Sequence, residues 1–252
     1  MGMDAATLAS LNRINEEFYQ TFAASFSNTR RKVQPGVEKI LKNLPIEGSW
    51  LDIGCGNGNF ADAWRKSKRK GTFVGLDFSE GLIRDASGVE DKAASDQRMM
   101  FVTADMTRPG WTNTLPDLKW NGIFCFAVLH HIPGDRQRLK MCAQVRSLLG
   151  KHSAFYISVW QPLNSERLKK RIQPWSAAGI AGDAVNSGDV LMEWRAHLTA
   201  PEDQPALRYV HIFNEAELID LAEKSGFMVR ETFYSDGKEG NLGLYQAWEP
   251  VF

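Results

Sequence analysis

WLDIGCGNGNF, residues 50–60, sets Gly54, Gly56 and Gly58 directly behind a short apolar run. A run of that length bounded by glycines predicts a buried strand, a tight loop and then a helix. Such loops hold the phosphates of a dinucleotide, the phosphates of a nucleoside triphosphate, or a ligand without phosphate. The chain contains no Gly-Lys-Ser or Gly-Lys-Thr, which removes the triphosphate loop. A dinucleotide loop wants a third glycine for close helix–strand packing, and Asn59 stands there. Asp52 precedes the loop; its carboxylate would repel a pyrophosphate and suits a cationic amino group. The combination points to a ligand with an α-amino acid at one end and adenosine at the other.

Outward from the loop the pattern alternates. SWLDIG, TFVGLDFS, MMFVTADMT, WNGIFCFAVLHHI and SAFYISVWQP predict strands, and the segments NGNFADAWRKSKRK, EGLIRDASGV and DRQRLKMCAQVRSLLG predict helices. Strands separated by helices imply an α/β fold with a doubly wound, mostly parallel sheet. Before it, Leu11, Ile14, Phe18, Phe22 and Phe26 recur at helical spacing, with a break at FSNTRRKVQPG and a second helix from Pro35 to Leu44. Residues 161–207 lose the rhythm and predict an inserted cap with some helix, for example GDVLMEWRAHL. NEAELIDLAEKSGF predicts a helix capped by Asn214, and the last two strands predict a hairpin. The expected organisation is a helical segment at 1–48, a ligand-binding core at 49–160, the cap at 161–207, and the remainder of the sheet at 208–252.

Composition narrows the class. The chain has 252 residues, 43% hydrophobic and 24% charged, with zero net charge. That is ordinary for a soluble domain and gives no support for a large basic surface. No signal-peptide pattern and no apolar run of membrane-spanning length is present, so a cytoplasmic protein is expected. Cys55, Cys125 and Cys142 lack metal-ligand spacing and predict reduced thiols, with no metal. The basic clusters at 30–32, 65–70 and 167–171 are expected to be solvated faces.

Acids complete the ligand. Asp77 ends the second strand, where a carboxylate holds ribose hydroxyls. Asp105 ends the third, where it can accept from an exocyclic amine while Met106 covers the ring.

These residues, in LDIGCGNGNF, VGLDFSEGLI, VTADMT and IFCFAVLHHI, resemble the class I S-adenosylmethionine-dependent methyltransferases. The resemblance implies a seven-stranded Rossmann-like sheet with an antiparallel last strand, and S-adenosylmethionine as cofactor, with S-adenosylhomocysteine as product. It implies that the loop Gly54, Cys55, Gly56 and Gly58, with Asp52, receives the methionine part. Asp77 would bind the ribose, Phe78, Asp105 and Met106 the adenine, and Phe126 and Ala127 would flank the methionine chain. Asn121 departs from the aspartate that often begins the fourth strand.

A narrower resemblance concerns the methyl acceptor. Phe26, Ser27, Thr29, Arg30 and Lys32, the post-strand loop AVLHHI, and Arg208, Tyr209, His211, Phe213, Glu217 and Leu218 are similar to segments of the tRNA methyltransferases that esterify a carboxymethyl group on wobble uridine. It implies a tRNA acceptor; with zero net charge on this chain, a small activating partner subunit would supply basic surface. Arg30, Arg208 and His211 would present cations to a carboxylate, and His130 or His131 would act as base or clamp. Strand alternation puts Arg208 and Val210 on one face and Tyr209 and His211 on the other, so both cations reach one carboxylate only through a bend. The alternative keeps the cofactor and takes a small molecule under a 161–207 lid containing Trp175, Met192 and Trp194, next to Trp160. A cofactor-binding module without turnover is the reading from another class.

Overall fold

The computed structural model describes residues 3–29, 32–194 and 206–252, and of residues 23–29 the backbone alone. Two helices come first, α1 (Ala5–Thr29) and α2 (Pro35–Asn43). Helix α1 runs on through the FSNT at which a break was expected. The alternation follows as β1 (Glu47–Ile53), α3 (Asn59–Lys66), β2 (Lys70–Asp77), α4 (Glu80–Glu90), β3 (Gln97–Thr103), β4 (Trp120–Phe126), α5 (Asp135–Leu148) and β5 (Leu149–Trp160).

Seven strands form one sheet, in the order β3-β2-β1-β4-β5-β10-β9. β1 to β5 pair in parallel. β9 (Phe227–Ser235) and β10 (Gly243–Pro250) form the expected hairpin, and β10 lies antiparallel between β5 and β9. Both faces are covered, and the period-2 alternation of side chains decides which residue meets which layer. Leu51 and Ile53 of β1 and Ile123 and Cys125 of β4 face a core shared with α5 and α7 (Glu215–Lys224). Trp50 of β1 and Phe124 of β4, alternating with those residues along their strands, face Ile40 and Leu41 of α2 and Phe60 and Trp64 of α3. Each fully buried Leu or Ile contributes about 1.5–3 kcal/mol. Asn121 begins β4 as a brace, its Oδ1 accepting the Ser49 N–H at 2.8 Å.

The inserted region differs from expectation. After α6 (Glu166–Lys169) the chain builds a second, antiparallel sheet of β6 (Ile172–Gln173), β7 (Asp189–Trp194) and β8 (Ala206–His211), in the order β6-β7-β8. The expected helix in GDVLMEWRAHL is therefore a strand from Asp189 to Trp194. Its three-residue apolar run Val190–Met192 is too short for periodicity to decide, and pairing with β8 settles it. β8 spans the expected boundary at 207/208 and belongs to the small sheet, whose core is Leu168, Met192 and Val210. The cluster at 65–70 is only partly a solvated face: Arg69 is buried and donates to the carbonyls of Leu41 and Leu44. Among the described residues no helix is long and apolar enough to cross a membrane.

Strand order reverses between β1 and β4. In an open α/β sheet the crevice outside the carboxyl ends at such a switch point is where ligands bind, and the glycine loop lies there.

Candidate active site

The loop after β1 leaves the sheet under backbone control. Gly54 and Cys55 both donate to the Leu76 carbonyl, at 2.7 and 3.0 Å. Gly56 has φ +56°, and a Cβ built there would meet nothing within 4 Å, because it would project into the cleft. Gly58 opens α3 with φ +76°, its Cβ position 3.0 Å from Ala86, so helix packing requires a glycine.

Two buried carboxyls line this cleft. Asp77 accepts the N–H of Gly56 at 3.0 Å and that of Ser79 at 2.9 Å. Burial outweighs these bonds and pushes its pKa up to about 6. Asp52 is pushed up to about 8, by burial first and by the charge of Asp77 second. Two acids held out of water create a site that favours a cation. Phe78, Met106 and Leu82 supply apolar wall, and Phe126 and Ala127 close the far side. Ala127 has φ +56°, in the left-handed region. Its N–H is held by the carbonyl and hydroxyl of Ser158, at 3.0 and 2.9 Å. A non-glycine residue in that conformation costs about 1 kcal/mol or more, which the double anchor offsets.

Asp105 lies in an adjoining hollow that shares Tyr19, Phe78, Met106, Val128 and His131 with the cleft. Its Oδ1 accepts from the N–H and hydroxyl of Thr107, and its Oδ2 pairs with Arg108 at 3.1 Å. The carboxylate thus braces its own turn at the edge of that hollow.

A second pocket opens beyond Ala127 and shares Gln34, Phe126, Ala127 and His131 with the cleft. Arg208 and His130 line it. Arg208 is 6% exposed, its guanidinium carbon 4.7 Å from the Trp160 ring and 5.4 Å from the Phe18 ring. Aromatic faces attract a guanidinium, whose planar donors suit a carboxylate. His130 Nδ1 accepts the Trp160 N–H at 3.2 Å, so its neutral ring carries the proton on Nε2 and is a donor there. His131 has the opposite tautomer. Its Nδ1 faces the Tyr209 carbonyl at 3.0 Å and must donate, so Nε2 accepts the Tyr19 hydroxyl at 2.9 Å.

The structure does not bring all the expected cations together. β8 is a regular strand. Arg208 faces the pocket, and His211 faces away, with Nδ1 2.7 Å from Asp189 Oδ1 and Nε2 2.6 Å from Glu217 Oε1. Burial acts to depress the pKa of His211; the bonds to the two carboxylates outweigh it and raise it. The Tyr209 hydroxyl donates to the same Asp189 oxygen at 2.7 Å. Arg30 lies outside the described residues, as do the side chains of Phe26, Ser27 and Thr29. Of the expected lid residues, Trp160 lines the pocket, Met192 is buried in the small sheet's core, and Trp194 packs on Phe18 and Phe22.

Sequence reasoning assigned no role to Tyr19, Asn15, Gln34 or Ser158. Tyr19 reaches the cleft from α1, and Ser158 from β5. Neither belongs to a local motif, and both depend on contacts between distant segments.

The fold and the cleft define a class I S-adenosylmethionine-dependent methyltransferase. The lining is compatible in chemistry with that cofactor: two buried acids, an open glycine edge and an apolar wall. The chain belongs to the methyltransferase-domain family, whose profile matches residues 25–232. Over 240 residues it is 27% identical to the tRNA (carboxymethyluridine(34)-5-O)-methyltransferase of Schizosaccharomyces pombe, covering 88% of this chain and 92% of that one. A Saccharomyces cerevisiae protein of the same name is 28% identical over 142 residues, 56% of this chain and 46% of that one. The matched region is thus about half of the budding-yeast relative. Among solved structures, a SAM-dependent methyltransferase from Methanosarcina mazei superposes with TM-score 0.65 at 18% identity, over 88% of this chain and 99% of that one. A Haloferax volcanii methyltransferase, solved in complex with the Trm112 methyltransferase activator, gives 0.62 at 14% identity, over 95% and 98%.

Proposed function

We propose that the chain methylates a carboxylate, and that the acceptor is the carboxymethyl group of a wobble uridine in tRNA. The observation that carries this is Arg208: a buried guanidinium in a pocket joined to the cofactor cleft at Phe126 and Ala127. The cofactor supplies, when bound, a methyl group on positively charged sulfur. An ionised carboxylate can take that group with no proton to lose, so the site needs alignment and charge neutralisation rather than a base. The residue types match that need: Arg208 carries a planar guanidinium, and His130, accepting the Trp160 N–H at Nδ1, has its ring proton on Nε2. His131 is held with both ring nitrogens in hydrogen bonds and braces the turn after β4.

The relatives named above support the acceptor, as do the similarities at 26–32 and 208–218. We propose also that a small activating subunit assists the chain. The Haloferax neighbour, which binds such an activator, supports this.

The test is transfer of labelled methyl to tRNA bearing carboxymethyluridine, with and without cell extract to supply a subunit. Base-labile label on that nucleoside is expected, since an ester hydrolyses in alkali. No transfer in either condition rejects the tRNA acceptor. Transfer to small carboxylic acids alone moves the assignment to a small-molecule methyltransferase.

A further inference from the structure

Helix α1 touches both halves of the site through consecutive residues. Tyr19 lines the cofactor cleft, its hydroxyl bonded to His131 Nε2 at 2.9 Å and its ring edge-on to Phe78 at 5.9 Å. Phe18 lies against the Arg208 guanidinium at 5.4 Å and against Trp194 at 5.5 Å. One turn earlier, Asn15 donates to the His131 carbonyl at 2.8 Å and accepts the Tyr209 N–H at 2.8 Å. His131 Nδ1 donates to the Tyr209 carbonyl at 3.0 Å. Every one of these bonds ends on His131 or on the backbone of Tyr209, the neighbour of Arg208. Asn15 is buried, so breaking its bonds strands desolvated groups.

We infer that α1 couples the two sites: its closure over the cofactor is the same movement that sets Arg208 for the acceptor. Tyr19 and Asn15 close the cleft by holding His131. The same fastening fixes the Tyr209 backbone and lays Phe18 near the guanidinium, which also lies 4.7 Å from the Trp160 ring. Asn15, Phe18 and Tyr19 are positioning residues, acting through His131 and Arg208. The inference rests on the proposed role of Arg208 as the cation for the acceptor carboxylate. Its consequence is order. The cofactor enters before the acceptor, because α1 closed on an empty cleft shuts out the cofactor. By linkage, each ligand tightens the other by the same factor.

The experiment compares wild type with Tyr19→Phe, which keeps the ring and removes the hydroxyl, and Phe18→Leu, which keeps an apolar side chain and removes the aromatic face. Affinity for carboxymethyluridine-bearing tRNA is measured with and without S-adenosylhomocysteine, and the converse. In wild type each ligand is expected to tighten the other about fivefold or more. In Tyr19→Phe that factor falls towards one, although Tyr19 does not line the acceptor pocket. In Phe18→Leu it falls while affinity for S-adenosylhomocysteine alone holds. A factor unchanged in both variants overturns the inference. If wild type binds no such RNA, the acceptor proposal fails separately, and α1 is tested on the cofactor side. There, Tyr19→Phe and Asn15→Ala are expected to release S-adenosylhomocysteine about tenfold faster in stopped-flow tryptophan fluorescence. Wild-type release rates in folded variants of both kinds overturn the inference.

Discussion

The charge of Asp77 reaches Asp52. Both carboxyls line one buried cleft, and burial first and the charge of Asp77 second lift Asp52 to about 8. Two acids in this arrangement cost the unliganded protein stability, and the cost is recovered when a cation arrives.

The first prediction follows from the sign of that shift. Between the ordinary carboxyl value of 3.8 and about 8, folded Asp52 keeps a proton that the unfolded chain has lost. Stability of the unliganded protein therefore falls as pH rises through that window. Asp52→Asn should raise the melting temperature of the unliganded protein at pH 8 and change it little at pH 4. The same substitution should weaken S-adenosylhomocysteine binding by about 1.5–3 kcal/mol, and abolish the rise in affinity expected of wild type between pH 6 and 8. Calorimetry across that range reads both effects.

Arg208 is separable from cofactor binding. Arg208→Met keeps volume for packing on Phe18 and Trp160 but removes the charge. It should lower kcat/KM for the acceptor by about 2 kcal/mol or more, while affinity for S-adenosylhomocysteine alone stays near wild type. Arg208→Lys should recover little, since an ammonium does not offer two parallel donors.

His130 is assigned as a donor and not as a base. His130→Gln, which keeps a donor near Nε2, should therefore stay within about tenfold of wild type, whereas His130→Phe should lose about a hundredfold. The pH profile of kcat/KM in wild type should lack a rising limb from loss of a histidine proton near neutrality. A rising limb that His130→Gln removes would restore the base.

His211 is an anchor. Its pKa is raised in the folded state, so its contribution is fully present below its ordinary value of 6.5 and is lost as pH rises through the folded value. His211→Phe leaves Asp189 buried without its imidazole and should cost about 3–5 kcal/mol. Denaturant unfolding should show the larger loss at pH 6 and a smaller one at pH 9.

That Asp52, Gly54, Gly56, Asp77 and Met106 would meet at one cleft was legible because they are local to strand ends. The glycines, Asp52, Asp77 and Met106 sit at strand ends, and the alternation of strands and helices places strand ends along one edge. Alternation also foretold that Arg208 and His211 part company. The rest depends on encounters that no local pattern encodes. Asn15 meets His131 across 116 residues, and Tyr19 meets it across 112. Residues 189–194 carry too short an apolar run to distinguish strand from helix, and only the partner strand at 206–211 decides. Asp105 borders the hollow next to the cleft, and its oxygens also accept from Thr107 and Arg108, which the sequence did not foretell.

β8 carries its two duties on opposite faces. Arg208 serves the pocket, and Tyr209 and His211 fasten the strand to Asp189, Glu217 and Arg138. Sliding the strand by one residue would turn the guanidinium into that fastening and the imidazole towards the pocket, undoing both arrangements at once. A one-residue insertion or deletion between Ala206 and His211 therefore exchanges the two faces of the strand beyond it.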